Sequence, residues 1–373
     1  MPRYRHPIGN ADHGSSKRRG DFAVKAVVLS SAVLLIIVAF INFAYLKDGI
    51  LAPNFTLINK AFEFNLIQLP WVLIILSLLY LLATFFVHRR FLIGVLFFAF
   101  IAVDLIALRY YVTQVEPFQL KVRSVEIVTN KLSQPLRILH LSDIQAGKIT
   151  EYEVRLFQKI GELKPDLIIN TGDYLQVVPP ATFEDEFPKL MRLINSLKPR
   201  YGSYGVFGDT DLHLLRIPMK DLEPFQIISS RTENIETYGG TLSLRGLSLY
   251  ESKNLDWANR GINQWLAQSR PESFKILIGH SPNFALTAKD APIDLCLAGH
   301  THGGQVRIPF FGPLVIDSIV PKNWSRGMTR IGFPLLNVSA GAGSNRYKGL
   351  PRLRFNCPTE ITLIDLIPSQ KER

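Results

Sequence analysis

Three runs of nearly unbroken hydrocarbon decide what the first third of this chain can become. Residues 26–46, 69–87 and 91–108 are almost wholly apolar. Each approaches the roughly 20 residues that a helix needs to cross a bilayer. One such run could be a buried core helix of a water-soluble protein; three within 110 residues predict membrane spans. They also account for a composition that is 47% hydrophobic with a mean hydropathy of +0.14, too apolar for a simple soluble enzyme.

The flanking charges set an expected orientation. Ahead of the first run stand Arg3, Arg5, Lys17, Arg18, Arg19 and Lys25 against Asp12 and Asp21. His88-Arg89-Arg90 follows the second run, whereas the first loop balances Lys47 and Lys60 with Asp48 and Glu63. Positive charge is retained on the cytoplasmic side, so the N-terminus and the Arg89-Arg90 turn are expected there. Three crossings then leave everything after residue 108 outside the cytoplasm of a cell (inner) membrane. Ser16-Lys17-Arg18-Arg19 loosely resembles a twin-arginine export signal, but Asp21 interrupts it and no small-residue cleavage site ends the run at Tyr45-Leu46-Lys47. A retained anchor is expected. The formal charge of +11 is assigned to membrane flanks and surface basic residues, since no basic helix interleaved with aromatics points to nucleic acid. The resulting division is a basic cytoplasmic tail over 1–25, a membrane domain over 26–118, a soluble domain over 119–367 and a short tail over 368–373.

From about Leu120 short apolar runs alternate with amphipathic segments, the texture of an α/β layered domain. Strands are predicted over 136–141, 167–169, 204–207, 242–250, 274–278 and 295–297. Helices are predicted over 152–163 (Val154, Phe157, Ile160 and Leu163 inward), 187–197 (Leu190, Ile194 and Leu197 inward) and 254–268 (Trp257, Ile262 and Trp265 inward). Five of the strands leave the sheet through a carboxylate or an imidazole: Asp143, Asp173, Asp209, His280, and His300 with His302. Pro282-Asn283 is a turn signal that keeps His280 on a loop. Binding groups in open α/β sheets collect beyond the carboxyl ends of strands. Packing alone would not put a charged or imidazole group at five such exits. Carboxylates with imidazoles make a hard-to-borderline metal site. The glycines of Gly299-His300-Thr301-His302-Gly303-Gly304-Gln305 let the backbone turn sharply and let an ion or phosphate come close. No cysteine stands at these exits, which disfavours a structural zinc. Cys296 sits in an apolar strand and reads as a small buried hydrophobe.

These residues resemble the calcineurin-like metallophosphoesterase family, in particular its membrane-anchored bacterial branch of phosphodiesterases and UDP-2,3-diacylglucosamine pyrophosphatases. The likeness spans about residues 120–367 and rests on Leu141-Ser142-Asp143, on PDLIINTGD at 165–173, on Gly279-His280 and on GHTHGGQ at 299–305, with a closing-strand likeness at 354–361. It implies a sandwich of two sheets flanked by helices around two divalent cations. Asp173 would bridge them, Asp143 and His302 would hold the first, and His280 and His300 the second.

Two motifs depart from the family pattern. Asp143-Ile144-Gln145 carries an amide where the family has histidine; a carbonyl oxygen is a harder, weaker ligand that favours manganese or magnesium over zinc, and of manganese, iron, zinc and magnesium the first is the expected ion. Gly208-Asp209-Thr210-Asp211 replaces Gly-Asn-His-Asp. Asp209 remains a reasonable ligand, but Thr210 cannot donate a proton near neutral pH. Asp211 and, three residues past Thr210, His213 join Thr210 as candidate catalytic groups. The expected function is a membrane-anchored phosphohydrolase acting on a phosphodiester or pyrophosphate, of a phosphorylated small molecule or lipid. The alternative is a silent module that binds metal and phosphate as a sensor, for which Gln145 and Thr210 argue. Phe310, Phe311, Lys322, Trp324, Arg326 and Arg330 lie in a segment, 308–333, that either covers the site or packs its own aromatics.

Overall fold

The computed structural model describes residues 13–51, 54–86, 89–346 and 351–369. Arg3 and Arg5 of the basic tail, His88 of the basic turn and the end of the chain from residue 370 lie outside the described residues. The chain forms two compact units, one holding Leu57–Tyr110 and the residues up to Ala52, the other Tyr111–Arg373 with Pro53–Thr56.

The first unit is helical: α1 (His13–Leu51), α2 (Phe55–Phe62), α3 (Leu69–Phe86) and α4 (Leu92–Tyr110). Three stretches, Lys25–Leu51, Phe55–Phe86 and Arg89–Phe118, are long and apolar enough to cross a membrane. The region between the first two runs is not an open loop. α2 and a π-helical turn over Glu63–Gln68 lead straight into α3. Polar side chains tie the helices where apolar packing gives little direction. Ser31 Oγ lies 2.7 Å from the Tyr80 hydroxyl, and the Asn42 and Asn65 amides exchange hydrogen bonds of 3.0 and 2.7 Å. The Tyr80 ring meets Phe91 and Phe98 edge-on at 5.6 and 5.2 Å.

The second unit is an α/β sandwich of two six-stranded sheets. The first has the order β1 (Lys121–Thr129), β14 (Glu360–Pro368), β2 (Leu136–Leu141), β3 (Leu167–Asn170), β4 (Ser203–Gly205) and β5 (Phe225–Ile227). The second has the order β12 (Gly327–Arg330), β13 (Leu335–Val338), β9 (Leu295–Ala298), β8 (Phe274–Ile278), β7 (Gly240–Gly246) and β6 (Arg231–Thr237). Strands β2 to β5 run parallel, as do β13, β9, β8 and β7. The period of two along each strand sorts side chains into three layers. Ile138, Ile169, Leu244, Ile276, Ile278, Leu297 and Ile364 fill the space between the sheets. Leu139, Leu141 and Ile168 pack outward on α5 (Glu151–Glu162) and α6 (Phe183–Ser196). Leu277, Cys296, Leu336 and Val338 pack outward with Ile262 and Trp265 of α8 (Leu255–Gln268).

Several expected edges move. The strand placed at 242–250 ends at Gly246, because Ser248 caps the short helix α7 (Leu249–Lys253) through a capping box with Glu251. α6 starts at Phe183, where Thr182 caps it, and carries Pro188 inside. β4 covers 203–205 rather than 204–207. Val154 and Trp257, expected inward, are 37% and 47% exposed. Tyr152 and Leu156 join the expected Phe157 and Ile160 on the buried face of α5, and Trp257 meets Tyr250 edge-on beside Arg260 on the surface.

Candidate metal centre

Every sequence-predicted ligand lies beyond the carboxyl end of a parallel strand: Asp143 and Gln145 after β2, Asp173 after β3, Asp209 after β4, His280 after β8, and His300 and His302 after β9. The two sheets present these ends to one place. Asp143, Asp173 and His302 offer ligand atoms within 4.8 Å of one another, and so do Asp209, His280 and His300. Asp143, Asp173, His280 and His302 are buried; Asp209 and His300 face the opening.

The backbone at these exits is strained. Asp143, Gln145, Asp173, His300 and His302 have φ of 50°, 39°, 60°, 68° and 51°, the left-handed region that side chains with a Cβ avoid. Such conformations persist where surrounding structure enforces them, and they concentrate at functional sites. Two glycines make the convergence possible by lacking a Cβ. At Gly208 it would strike Asp173 Oδ1 and come within 2.7 Å of His280 Cε1; at Gly299 it would strike Ser142 and Asp143.

The donor set fits divalent cations. His280 Nε2, His302 Nδ1 and Gln145 Oε1 are buried and have no hydrogen-bond partner among the described residues. Unpaired buried polar atoms are costly, and His280 Nε2 points between two carboxylates, 3.5 Å from Asp173 Oδ2 and 3.4 Å from Asp209 Oδ2. His280 Nδ1 lies 2.7 Å from the Thr171 carbonyl and His300 Nε2 3.1 Å from the Asp317 carbonyl. A carbonyl only accepts, so those nitrogens carry the proton, and His280 Nε2 and His300 Nδ1 face the carboxylates. That second contact fixes ring and tautomer in metal-binding histidines.

Burial and neighbouring charge compete across the cluster. Burial works to lower the His280 pKa, but Asp173, Asp209 and Asp143 outweigh it and push it up to about 10. Burial raises Asp143 to about 6, partly countered by His280. Asp209 goes the other way: burial would raise it, yet the imidazoles of His280 and His300, 3.4 and 2.9 Å from its Oδ2, hold it below the usual carboxylate range. Burial, with Arg354 and the other two imidazoles, pushes His302 well below its ordinary value.

The residues that depart from the family pattern have distinct surroundings. Gln145 donates its amide to Asp173 Oδ2 at 2.7 Å and keeps its carbonyl oxygen free. Thr210 donates its backbone N–H to Asp173 Oδ1 at 2.8 Å, while its hydroxyl is buried without a partner among the described residues. Asp211 accepts from the backbone N–H groups of Asp173, Tyr174 and Gly208 at 2.7–2.9 Å. Its carboxylate is therefore spent on holding the Gly208–Asp211 loop against the Asp173 turn. His213 is exposed, stacks on Phe183 with ring centroids 5.1 Å apart, and belongs to neither cluster.

Two residues went unnoticed in the sequence. Lys253 places its Nζ 2.6 Å from Asp209 Oδ1, offsetting the charge that aspartate brings to a place where the family has asparagine. Arg354 is fully buried and donates to the carbonyls of Ala340, Gly341, Gly343, His302 and Cys357, so it locks the turn that carries His302. Neither has a local sequence signal, because each partner is remote in the chain. Segment 308–333 divides. Asp317 touches His300, Arg326 pairs with Glu360 at 2.8 Å and Trp324 packs on the core, while Phe310, Ile319 and Phe333 are exposed.

Residues 136–304 match the calcineurin-like phosphoesterase family. The chain is 32% identical over 219 residues to the uncharacterized metallophosphoesterase YkuE of Bacillus subtilis, covering 56% of this chain and 70% of that one. It is 26% identical to the phosphodiesterase YaeI of Escherichia coli over 62% of this chain and 83% of that one. A transmembrane protein with a metallophosphoesterase domain from Danio rerio is 27% identical over 66% of this chain and 57% of its own length. The motifs, the fold of the second unit and these relatives agree: the chain belongs to the calcineurin-like metallophosphoesterase family of hydrolases.

Proposed function

We propose that the protein is a membrane-anchored, two-ion phosphohydrolase that cleaves a phosphodiester or pyrophosphate in an amphiphilic substrate. The observation that carries the reading is the pair of three-residue clusters at the strand exits, four of whose six members, with Gln145 beside them, sit in strained left-handed backbone. Asp143, Gln145 and His302 would hold one ion, Asp209, His280 and His300 the other, with Asp173 shared. The carboxylate-rich set with one amide favours manganese.

Bound divalent cations supply Lewis acidity toward a phosphoryl oxygen and an acidified water as nucleophile. This chain's own groups do the rest. Asp173 is held by Gln145 and by the Thr210 N–H, and Asp211 fixes the loop that carries both Asp209 and Thr210. Thr210 brings no proton for the leaving group, so the enzyme is expected to be slow on esters whose leaving group needs one. An apolar cavity of about 370 Å³ shares Gly208 and Asp211 with this loop and is lined by Leu212, Leu215, Met219 and Tyr250. It supports an apolar substrate arm beside the phosphate, as does the membrane anchor, which keeps the site near amphiphiles.

The test uses full-length protein in detergent, stripped by chelation and reloaded with manganese. An activated aryl phosphodiester should be hydrolysed only after reloading, and a long-chain diester should have a lower KM than a short-chain one. Equal KM values would remove the amphiphile from the reading. Manganese binding with no turnover of the aryl diester would replace the enzyme with a silent binding module.

A further inference from the structure

Behind the first ligand cluster runs a buried line of polar side chains that the reaction itself does not use. Asn337 on β13 has its Nδ2 2.7 Å from His140 Nδ1 on β2. His140 Nε2 lies 3.1 Å from Thr171 Oγ1, and Thr171 Oγ1 lies 2.6 Å from Ser142 Oγ. Ser142 Oγ closes the line on Asp143 Oδ2. His140, Ser142, Asp143, Thr171 and Asn337 are all fully buried.

The direction of every bond follows from the carboxylate at the end. An ionised Asp143 only accepts, so the single Ser142 hydroxyl proton points at it. Ser142 can then only accept from Thr171, which spends its one proton there. Thr171 is left as an acceptor toward His140, so Nε2 carries the imidazole proton and Nδ1 carries the lone pair. Asn337 must therefore turn its amide nitrogen, and not its oxygen, toward the ring. Its Oδ1 is indeed buried with no partner among the described residues. Burial, which pushes the His140 pKa down to about 3, agrees with a neutral ring in this tautomer. Chains of hydrogen bonds that all point one way polarise each other and strengthen the last bond.

We propose that this one-way relay from Asn337 through His140, Thr171 and Ser142 is a positioning device that fixes Asp143 as a metal ligand and ties its orientation to the packing of the two sheets. Asn337 belongs to the second sheet and His140 to the first, so the relay spans the sandwich. At its end, Ser142 occupies Oδ2, and the His300 N–H is shared between the two oxygens, 3.1 Å from Oδ2 and 3.2 Å from Oδ1. Oδ1 carries no hydroxyl and lies beside His302, 3.5 Å from Nε2. The relay thus holds Oδ2, and Oδ1 would be the oxygen turned to the ion. A space this dry could have been filled by valine and leucine, which carry no desolvation cost. A chain of buried polar groups there, satisfied at every link but left with one unpartnered oxygen on Asn337 among the described residues, has its use at the carboxylate it ends on.

The proposal rests on Asp143 being an ion ligand, and the experiment separates the two. Full-length protein in detergent is chelated, then titrated with Mn²⁺ while free Mn²⁺ is followed by electron paramagnetic resonance. Ser142→Ala and Thr171→Val each break the relay; Thr171→Ser keeps its hydroxyl. Loss of an outer-shell partner typically weakens metal affinity about 10–100-fold. Ser142→Ala and Thr171→Val are expected to weaken one of two ions by that factor and leave the other as in wild type, and Thr171→Ser to bind both normally. Wild-type affinities for both ions in Ser142→Ala overturn the relay. So does a Thr171→Ser protein as weak as Thr171→Val, which would mark the position as one of packing alone. If Ser142→Ala fails to fold, the Thr171 pair decides by itself. A wild type that takes up no manganese sinks the ligand assignment instead.

Discussion

Thr210 is the residue on which, in our proposal, the rate depends. Its N–H is tied to Asp173 Oδ1 and its hydroxyl points nowhere among the described residues. The backbone there is held against Asp173, and on our proposal a side chain at this place faces the leaving group and lacks only a proton to give. A positioned general acid contributes about 10²–10⁴-fold, most of it where the leaving group is a poor one. Thr210→His should therefore raise kcat on an alkyl diester by about tenfold or more and change an aryl diester far less. Steady-state rates on both substrates at equal manganese occupancy check this; equal acceleration of the two would mean the imidazole acts on the ions and not on the leaving group. His213 offers no substitute, because its ring is committed to Phe183.

At the scale of elements, two groups at the strand exits hold their protons to higher pH in the folded chain than in the unfolded one. His280 after β8 is raised from an ordinary 6.5 to about 10, and Asp211 after β4, buried and beside Asp173, to about 7. A group with a raised folded pKa stabilises the fold fully below its unfolded pKa and loses that stabilisation as pH climbs through the folded one. The chelated protein should thus become less heat-stable between pH 7 and 10, with His280 the main cause over that window. With manganese bound in place of the proton the decline should vanish. Thermal melts of chelated and loaded protein across this range test it, and a flat chelated curve would contradict the charge state assigned to His280. The exits themselves were legible in the sequence. Strands that stop at Asp143, Asp173, His280 and His300 announce themselves because apolar runs end in charge. The edges were less so. Leu247, Leu249 and Tyr250 read as strand continuation although Ser248-Leu249-Tyr250-Glu251 held a capping signal, and β1, β5 and β6 were passed over because short or polar-edged strands take their structure from pairing. Lys253, Arg354 and the His140 relay owe their roles to partners 44, 52 and 197 residues away at most, which no local window contains.

For the whole molecule, three apolar helices make the chain a membrane protein of its family, and the basic residues around the first and third spans place the catalytic unit, on our proposal, outside the cytoplasm. Protease added to intact cells, or to spheroplasts where an outer membrane intervenes, should then cut the second unit. Protection until lysis would reverse the orientation and move the substrate to the cytoplasmic leaflet. Either outcome leaves the metal centre untouched, because that rests on Asp173. Both clusters converge on it: Asp143 and His302 share its group, and His280 Nε2 lies 3.5 Å from its Oδ2. The most direct measurement is the metal content of full-length Asp173→Ala beside wild type, each reloaded with manganese and desalted. Two ions per wild-type chain, and loss of both in the variant with a preserved thermal transition, is the predicted result. Full occupancy in Asp173→Ala would contradict the account.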